Sequence, residues 1–125
     1  MLFKKFAGLF LILLLILSCS SSSKIEFKEL SYDFGRVKQN SVLEHVFVFK
    51  NIGSSTLTID QIKPSCGCTG VLLSSKDIPA GGEGNIKATL TIGASSGKLN
   101  KSIYVYTNDK NNQILKLKLE ALVVK

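Results

Sequence analysis

The sequence has no tryptophan, one histidine and three cysteines among its 125 residues. Because His45 is the only histidine, a Ser-His-Asp or Cys-His catalytic relay would have to use it. The acidic residues stand singly, with no pair at a spacing that indicates acid–base catalysis. His45 shares one face of a predicted strand with Leu43 and Phe47, where we expect a partly buried packing residue. The sequence therefore predicts a protein that is not an enzyme and needs no cofactor.

The first 18 residues have the pattern of a secretory signal peptide. Lys4 and Lys5 form a basic start, and an apolar run follows at residues 6–17, broken only by Gly8. That run is shorter than the ~20 apolar residues of a membrane-spanning helix. We therefore expect residues 1–18 to be removed during export; an uncleaved membrane anchor is the alternative.

The end of this segment, Ile16-Leu17-Ser18-Cys19, resembles a bacterial lipobox. The resemblance implies that Cys19 is lipidated and becomes the new N-terminus. Residues 19–24 would then form a lipidated flexible tether, because their serines offer little apolar surface to bury. Diacyl plus N-acyl modification supplies more than one chain, as stable anchoring requires. We expect a protein tied to a membrane of the bacterial cell envelope and facing the periplasm or the exterior.

Arginine is scarce as well, with Arg36 the only one, and the lysines are scattered from Lys24 to Lys125. The 16 basic and 9 acidic residues give +7; loss of Lys4 and Lys5 with the signal leaves 14 against 9, or +5. Nucleic-acid-binding proteins favour arginine and clustered charge, whereas scattered lysines keep strand edges soluble. The sequence therefore predicts no nucleic-acid partner.

Beyond the signal peptide, apolar residues recur with a period of two, and no 3.6-residue stripe of useful length is present. Strands are predicted at residues 25–37 (with a kink), 41–50, 57–60, 71–73, 85–92, 103–107 and 115–119. The strand at 41–50 is apolar on both faces, which predicts a central position, and residues 78–82 form a predicted tight loop. About seven strands in about 100 residues are typical of an immunoglobulin-like β-sandwich. We expect one all-β domain at residues 25–125, without the Cys…Trp…Cys framework of antibody domains.

Five short motifs in this region carry a family resemblance. They are Tyr32-Asp33-Phe34-Gly35-Arg36-Val37, Phe47-Val48-Phe49-Lys50-Asn51-Ile52-Gly53, Pro64-Ser65-Cys66-Gly67-Cys68-Thr69, Pro79-Ala80-Gly81-Gly82 and Val105-Tyr106-Thr107-Asn108-Asp109. In this order they resemble the domain of unknown function 1573 family of bacterial envelope proteins. The resemblance implies a fold similar to the Hydin-type and major-sperm-protein-type immunoglobulin folds, and an exported setting. It implies no activity.

The most specific motif places Cys66 and Cys68 one residue apart. In extended backbone, residues i and i+2 point to the same face, so both thiols would project side by side. A disulfide requires Cβ atoms about 3.8 Å apart, closer than on a flat strand, and a turn at Gly67 could bring them together. Three interpretations stay open: a structural cross-link or tight turn, a redox-active pair, and a soft-metal site.

The metal interpretation is limited by the number of ligands. Two thiolates suit Cu(I) or Zn²⁺, but a closed structural zinc site needs four ligands. The sequence offers Cys66, Cys68 and, as a speculative third ligand, His45. The redox interpretation lacks the βαβ context of thioredoxin-like proteins.

These observations predict a lipid-anchored, non-catalytic binding or assembly module of the cell envelope. Its expected partners are the membrane, through the anchor on Cys19, and another envelope protein, met through an exposed sheet edge or the loops at one end. The alternative is an envelope protein that uses Cys66 and Cys68 for thiol redox chemistry or for binding copper or zinc.

Overall fold

The computed structural model of the protein describes residues 21–125, so the predicted signal peptide and Cys19 lie outside the described residues. The nine strands are β1 (Ile25–Phe27), β2 (Ser31–Lys38), β3 (Val42–Asn51), β4 (Leu57–Pro64), β5 (Thr69–Leu73), β6 (Asp77–Ile78), β7 (Glu83–Thr91), β8 (Gly97–Thr107) and β9 (Ile114–Val124). A four-stranded sheet, ordered β1-β3-β7-β5, packs against a five-stranded sheet, ordered β2-β9-β8-β4-β6. This confirms the predicted all-β sandwich. Across the described part of the chain, no helix has the length and apolarity needed to span a bilayer.

The strand count differs from the prediction at two places. The predicted kinked strand at residues 25–37 is two strands in different sheets: Lys28 N–H donates to Val48 C=O in one sheet, and Leu30 C=O accepts from Lys118 N–H in the other. The predicted tight loop contains Ile78, which forms the two-residue strand β6 against β4. Two residues are too few to show a period, and a change of sheet leaves alternation intact, so neither feature is visible in the pattern.

Alternation along each strand builds the core between the sheets. On β3, Phe47 and Phe49 point inward and are completely buried, against apolar residues from both sheets. The opposite face of β3 is apolar but uncovered, with Val42 62% and Val46 43% exposed. The predicted central position of β3 is correct, since it lies between β1 and β7. The second face of β3 is therefore apolar although the rest of the described chain does not cover it.

The strand β2 lies at one edge of the five-stranded sheet and runs parallel to β9. Its register shifts between Asp33 and Arg36. Gly35, at the shift, has φ +72°, and its N–H donates to Asp33 Oδ1 (2.8 Å). This left-handed conformation is one that glycine adopts without the steric cost of a Cβ, and the resulting bulge interrupts the edge.

The loops fall at two ends of the sandwich. The N-terminal end is formed by the β3–β4 and β8–β9 loops, at residues 52–56 and 108–113. The Cys-Gly-Cys end is formed by the β2–β3, β4–β5 and β7–β8 loops, at residues 39–41, 65–68 and 92–96. Each group is tied together: Asn108 Nδ2 donates to Thr56 C=O (3.2 Å) at the first end, and Asn40 N–H donates to Gly93 C=O (3.1 Å) at the second.

Candidate functional site

The Cys-Gly-Cys loop is a tight turn that links β4 of one sheet to β5 of the other. A disulfide joins Cys66 and Cys68, whose Cα atoms lie 5.2 Å apart. Thr69 N–H donates to Cys66 C=O (3.1 Å), closing the turn, and Cys68 N–H points at Cys66 Sγ (3.1 Å). The two residues predicted as neighbours on one face are therefore held in a local ring.

The two sides of this ring have different surroundings. Cys68 packs against a small apolar cluster of Leu90, Ile92 and Val123 at this end of the core. Gly67 faces open space, since a Cβ built there would meet no atom within 4 Å, and its φ is not positive. The turn therefore does not depend on the conformational freedom of Gly67. One side of the ring is fixed to the core, and the other is reachable from solvent.

His45 occupies a different position, in contact with both sheets. Its ring stacks on Tyr32 of β2, with centroids 3.7 Å apart, and meets Phe47 edge-on at 4.8 Å. Its Nε2 contacts Glu29 Oε1, and its side chain is 17% exposed. In residues 21–125, no three His, Cys, Asp or Glu side chains come together in a way that could hold a metal ion. The structure thus gathers Cys66 and Cys68 and places His45 in an aromatic cluster.

A second organised region lies at the N-terminal end, where Ser22, Ser23 and Lys24 form what we call the N-terminal strap. Ser22 C=O accepts hydrogen bonds from the N–H groups of Ser54 (2.8 Å) and Ser55 (3.2 Å). Lys24 C=O accepts from Ile52 N–H (2.8 Å). The buried Ser23 hydroxyl donates to Oδ1 of Asn108 (2.9 Å). Residues 22–24 of the predicted tether are therefore fixed to two loops of the sandwich.

Asn51 is a fully buried amide that joins the strap to the rest of this end. Its Oδ1 accepts from the N–H groups of Lys24 (3.3 Å) and Gly53 (3.0 Å). Its Nδ2 donates to the C=O groups of Ser55 (2.8 Å) and Ile78 (3.0 Å). All four hydrogen-bonding positions of the amide are used, so its burial leaves no polar atom without a partner.

Asp109 is the corresponding buried polar side chain of the β8–β9 loop, with 2% of its surface exposed. Its Oδ2 accepts from Ile25 N–H (3.1 Å) and Asn112 Nδ2 (3.1 Å), and its Oδ1 accepts from Asn111 N–H (3.0 Å). Burial alone would raise the pKa of this carboxyl. The hydrogen bonds to its charged form, led by the Asn112 side chain, outweigh burial and hold the pKa below its ordinary value.

Sequence analysis placed Asn51 and Asp109 only in the segments between predicted strands. Both lie inside motifs that carry the family resemblance, one at the end of β3 and one after β8. That placement is the one sequence signal that could have pointed to them. The partners that join them to distant parts of the chain, such as Ile25 N–H at 84 residues from Asp109, leave no local pattern.

The strand β5 has a free edge. Thr91 N–H donates to Cys68 C=O (3.0 Å), and Ser74 N–H donates to Asn85 C=O (3.0 Å), so even-numbered residues of this segment direct their backbone groups to β7. In an antiparallel ladder the backbone groups alternate in direction, so those of Val71 and Leu73 face away from β7. No strand of the described chain pairs with that side.

The other sheet edges are protected against pairing, and β5 is not. The edge strands β1 and β6 have three and two residues, and β2 carries the Gly35 bulge together with Arg36 and Lys38. Short length, bulges and charged side chains are the usual protection of exposed edges. The sequence of β5, Thr-Gly-Val-Leu-Leu, has no charge and no proline, and Leu72 is 67% exposed on its outer face.

Comparison with known proteins gives a family match for the sequence and several solved structures with a similar fold. A family model described as "Protein of unknown function (DUF1573)" matches residues 25–123. The sequence matches none of the curated proteins. Among solved structures, a protein of unknown function from Porphyromonas gingivalis W83 has a TM-score of 0.72 at 12% identity, with 85% of this chain and 50% of that chain covered. This chain therefore spans half the length of the Porphyromonas chain.

Two further structures extend the likeness. The ASH/PapD-like domain 7 of human CEP192 has a TM-score of 0.65 at 12% identity, with 86% of this chain and 90% of that chain covered. The YadV chaperone has a TM-score of 0.55 at 14% identity, with 81% and 52% covered. At these identities the likeness shows a shared immunoglobulin-like fold.

Proposed function

The chain belongs to the DUF1573 family of proteins of unknown function, and from this premise we propose that it is a non-catalytic, lipid-anchored binding module of the bacterial cell envelope. The anchor is the lipid on Cys19, supported by the lipobox-like Ile16-Leu17-Ser18-Cys19. The module binds another envelope protein. The fold is consistent with this role, and a fold of this kind is used by the YadV chaperone among its structural neighbours.

The observation that carries the proposal is the unprotected edge of β5. The outward backbone groups of Val71 and Leu73 offer donors and acceptors to an extended segment, which would add a strand to the four-stranded sheet. Leu72, on the outer face of that sheet, would pack against an apolar side chain of the incoming strand. Main-chain pairing supplies affinity in this mode of recognition, and the alternate side chains supply specificity.

A second candidate function concerns the disulfide loop. The Cys66–Cys68 bridge is half-buried, lies in a turn at one end of the sandwich, and is open to solvent beside Gly67. In this alternative the bridge exchanges with thiols of an envelope redox partner, or its reduced form binds a soft ion such as Cu(I).

The binding proposal is tested with two lysine substitutions of matched exposure. Leu72→Lys adds a charge beside the β5 edge, and Val42→Lys adds the same charge to the outer face of the same sheet, on the central strand β3. Both side chains are mainly exposed (67% and 62%), so both variants are expected to fold with a change in stability within about 0.5 kcal/mol. The partner is captured by crosslinking intact membranes and quantified by mass spectrometry.

We expect Leu72→Lys to lower partner capture about tenfold, equivalent to ~1.4 kcal/mol of binding free energy, and Val42→Lys to leave it near the wild-type level. Equal capture by wild type and Leu72→Lys would overturn the assignment of the β5 edge. A selective loss in Val42→Lys would place the contact on the face of β3 instead.

A further inference from the structure

The N-terminal strap passes so close to the β3–β4 loop that only a glycine fits beneath it. A Cβ built on Gly53 would lie 2.2 Å from Ser22 O and 2.6 Å from Lys24 N, both backbone atoms. Real Cβ atoms essentially never approach other heavy atoms that closely. The strap can therefore dock in this position only if residue 53 is a glycine.

The docked strap limits where a lipid on Cys19 can be. Cys19 precedes Ser22 by three residues, and an extended chain covers at most ~3.6 Å per residue, so the separation is at most about 11 Å. Ser22 itself is bonded to Ser54 and Ser55 at the N-terminal end. The strands β8 and β9 have 11 residues each. At about 3.4 Å per residue they place the Cys-Gly-Cys end roughly 35 Å from the N-terminal end.

The surface around the strap suits an anionic headgroup layer. A shallow cleft of about 360 Å³ lies between the strap and the β8–β9 loop, and its lining includes Lys24, Asp109 and Lys110. Lys24 and Lys110 are exposed cations. Asp109 is the one acid among the lining residues, and its oxygens are turned inward onto N–H groups. Lysines next to a membrane are attracted to anionic lipid phosphates.

From these observations we propose that the N-terminal end of the sandwich rests against the lipid headgroups of the membrane, held there by the strap, with the Cys-Gly-Cys end directed away. The proposal rests on the proposed anchor at Cys19. In this proposal Gly53 is the residue that leaves room for the strap to dock. The proposal also gives the cleft a partner, the anionic phosphates of the lipid surface.

The test uses the full-length, anchored protein in vesicles of phosphatidylcholine and phosphatidylglycerol whose headgroups carry a fluorescence quencher. A fluorescent amino acid replaces Asn111 at the N-terminal end or Ser95 at the Cys-Gly-Cys end, both exposed loop positions. We expect quenching at position 111 to be several times stronger than at position 95. High salt is expected to reduce the difference, because it screens the contact between lysines and phosphates.

Gly53→Ala should expel the strap and lower the ratio of the two quenching values, because the tether then runs from Cys19 to Ile25 and can reach about 22 Å instead of about 11 Å. Gly67→Ala is the matched control, because a Cβ there meets open space. Ser23→Lys, which forces a long charged side chain into a buried position of the strap, is a second releasing variant should Gly53→Ala fail to fold. A quenching ratio unchanged in a folded releasing variant would overturn the role of the strap.

The anchor and the orientation fail in distinguishable ways. A mature protein whose mass lacks acyl chains would overturn the anchor and the proposed function with it. An acylated protein quenched equally at positions 111 and 95 would overturn the orientation alone.

Discussion

At the scale of single residues, the N-terminal end depends on two buried polar side chains that are saturated with hydrogen bonds. Asn51 joins the strap, its own loop and β6, and Asp109 joins β1 to the β8–β9 loop. A buried polar group is tolerated when its partners are present and becomes costly when one of them is removed. Substitutions that keep the size of the side chain but change an acceptor into a donor are therefore the informative ones.

Asp109→Asn is such a substitution, because it places an NH₂ group where the carboxylate accepts N–H groups from Ile25, Asn111 or Asn112. We expect it to lower the free energy of unfolding by roughly 1 to 2 kcal/mol at pH 7 through the lost hydrogen bonds. The pKa of Asp109 is lowered in the folded protein, so the folded state binds the proton less readily than the unfolded state.

The lowered pKa of Asp109 determines how its contribution to folding stability depends on pH. The contribution of Asp109 is complete above the ordinary aspartate pKa of about 4 and is lost as the pH falls through the lower folded-state pKa. Urea unfolding at pH 7 and pH 3 should therefore show a gap between wild type and Asp109→Asn that narrows at pH 3. The exposed Asp60→Asn is the control and should show little gap at either pH. A gap that stays constant would contradict the assigned role of the carboxylate.

At the scale of elements, the small size of the disulfide loop makes its three interpretations (structural cross-link, redox-active pair and metal site) distinguishable by measurements of stability. The bridge between Cys66 and Cys68 closes a ring of three residues. The stabilisation from chain entropy grows with loop length, so a cross-link this short contributes little. The double change Cys66→Ser with Cys68→Ser should lower stability by only about 1 kcal/mol if the loop is structural.

Thermal melts of the double variant and of wild type, each with and without a chelator, distinguish the interpretations. A loss of several kcal/mol together with chelator sensitivity in wild type alone would indicate a bound metal, because metal binding energy enters folding directly. Chelator indifference in both proteins would remove the metal interpretation. A small stability loss with lost thiol–disulfide exchange toward a dithiol probe would support the redox alternative.

The elements also show what the sequence could and could not predict. Strands β7 and β9 were recognisable because apolar and polar residues alternate along each of them, and β3 because its sequence is apolar on both faces. The separation of β1 from β2 was not, because the residues between them alternate normally while the chain passes from one sheet to the other. The spacing of Cys66 and Cys68 predicted that they would be neighbours, and it left open whether extended backbone or a turn would hold them; the structure has a turn closed by a disulfide. The contact of His45 with Glu29 and Tyr32 did not, because it depends on how the two sheets face each other.

At the scale of the whole molecule, the proposed lipid anchor on Cys19 would hold the protein at a membrane. Cys19→Ser removes the thiol that a lipobox-type modification requires, so we expect unprocessed or mislocalised protein without acyl chains. The measurements are the mass of the mature protein and its partition into detergent. A variant that still enters the detergent phase at the mature mass would refute the lipoprotein prediction. The fold of residues 25–125 should be unchanged, and an unaltered melt of the domain serves as the control.

The parallel pairing of β2 with β9 also governs the order in which the molecule can be completed during synthesis. Ser31 pairs with Lys118, 87 residues later (118 minus 31), and Lys38 pairs with Val124 at the end of the ladder. A growing or translocating chain has no partner for β2, and none for the Ile25 N–H, until the final hairpin has emerged. Contacts of this range are formed late, because the intervening chain must first be ordered. The strand β2 therefore stays unpaired, and the five-stranded sheet incomplete, until residues 114–124 have emerged.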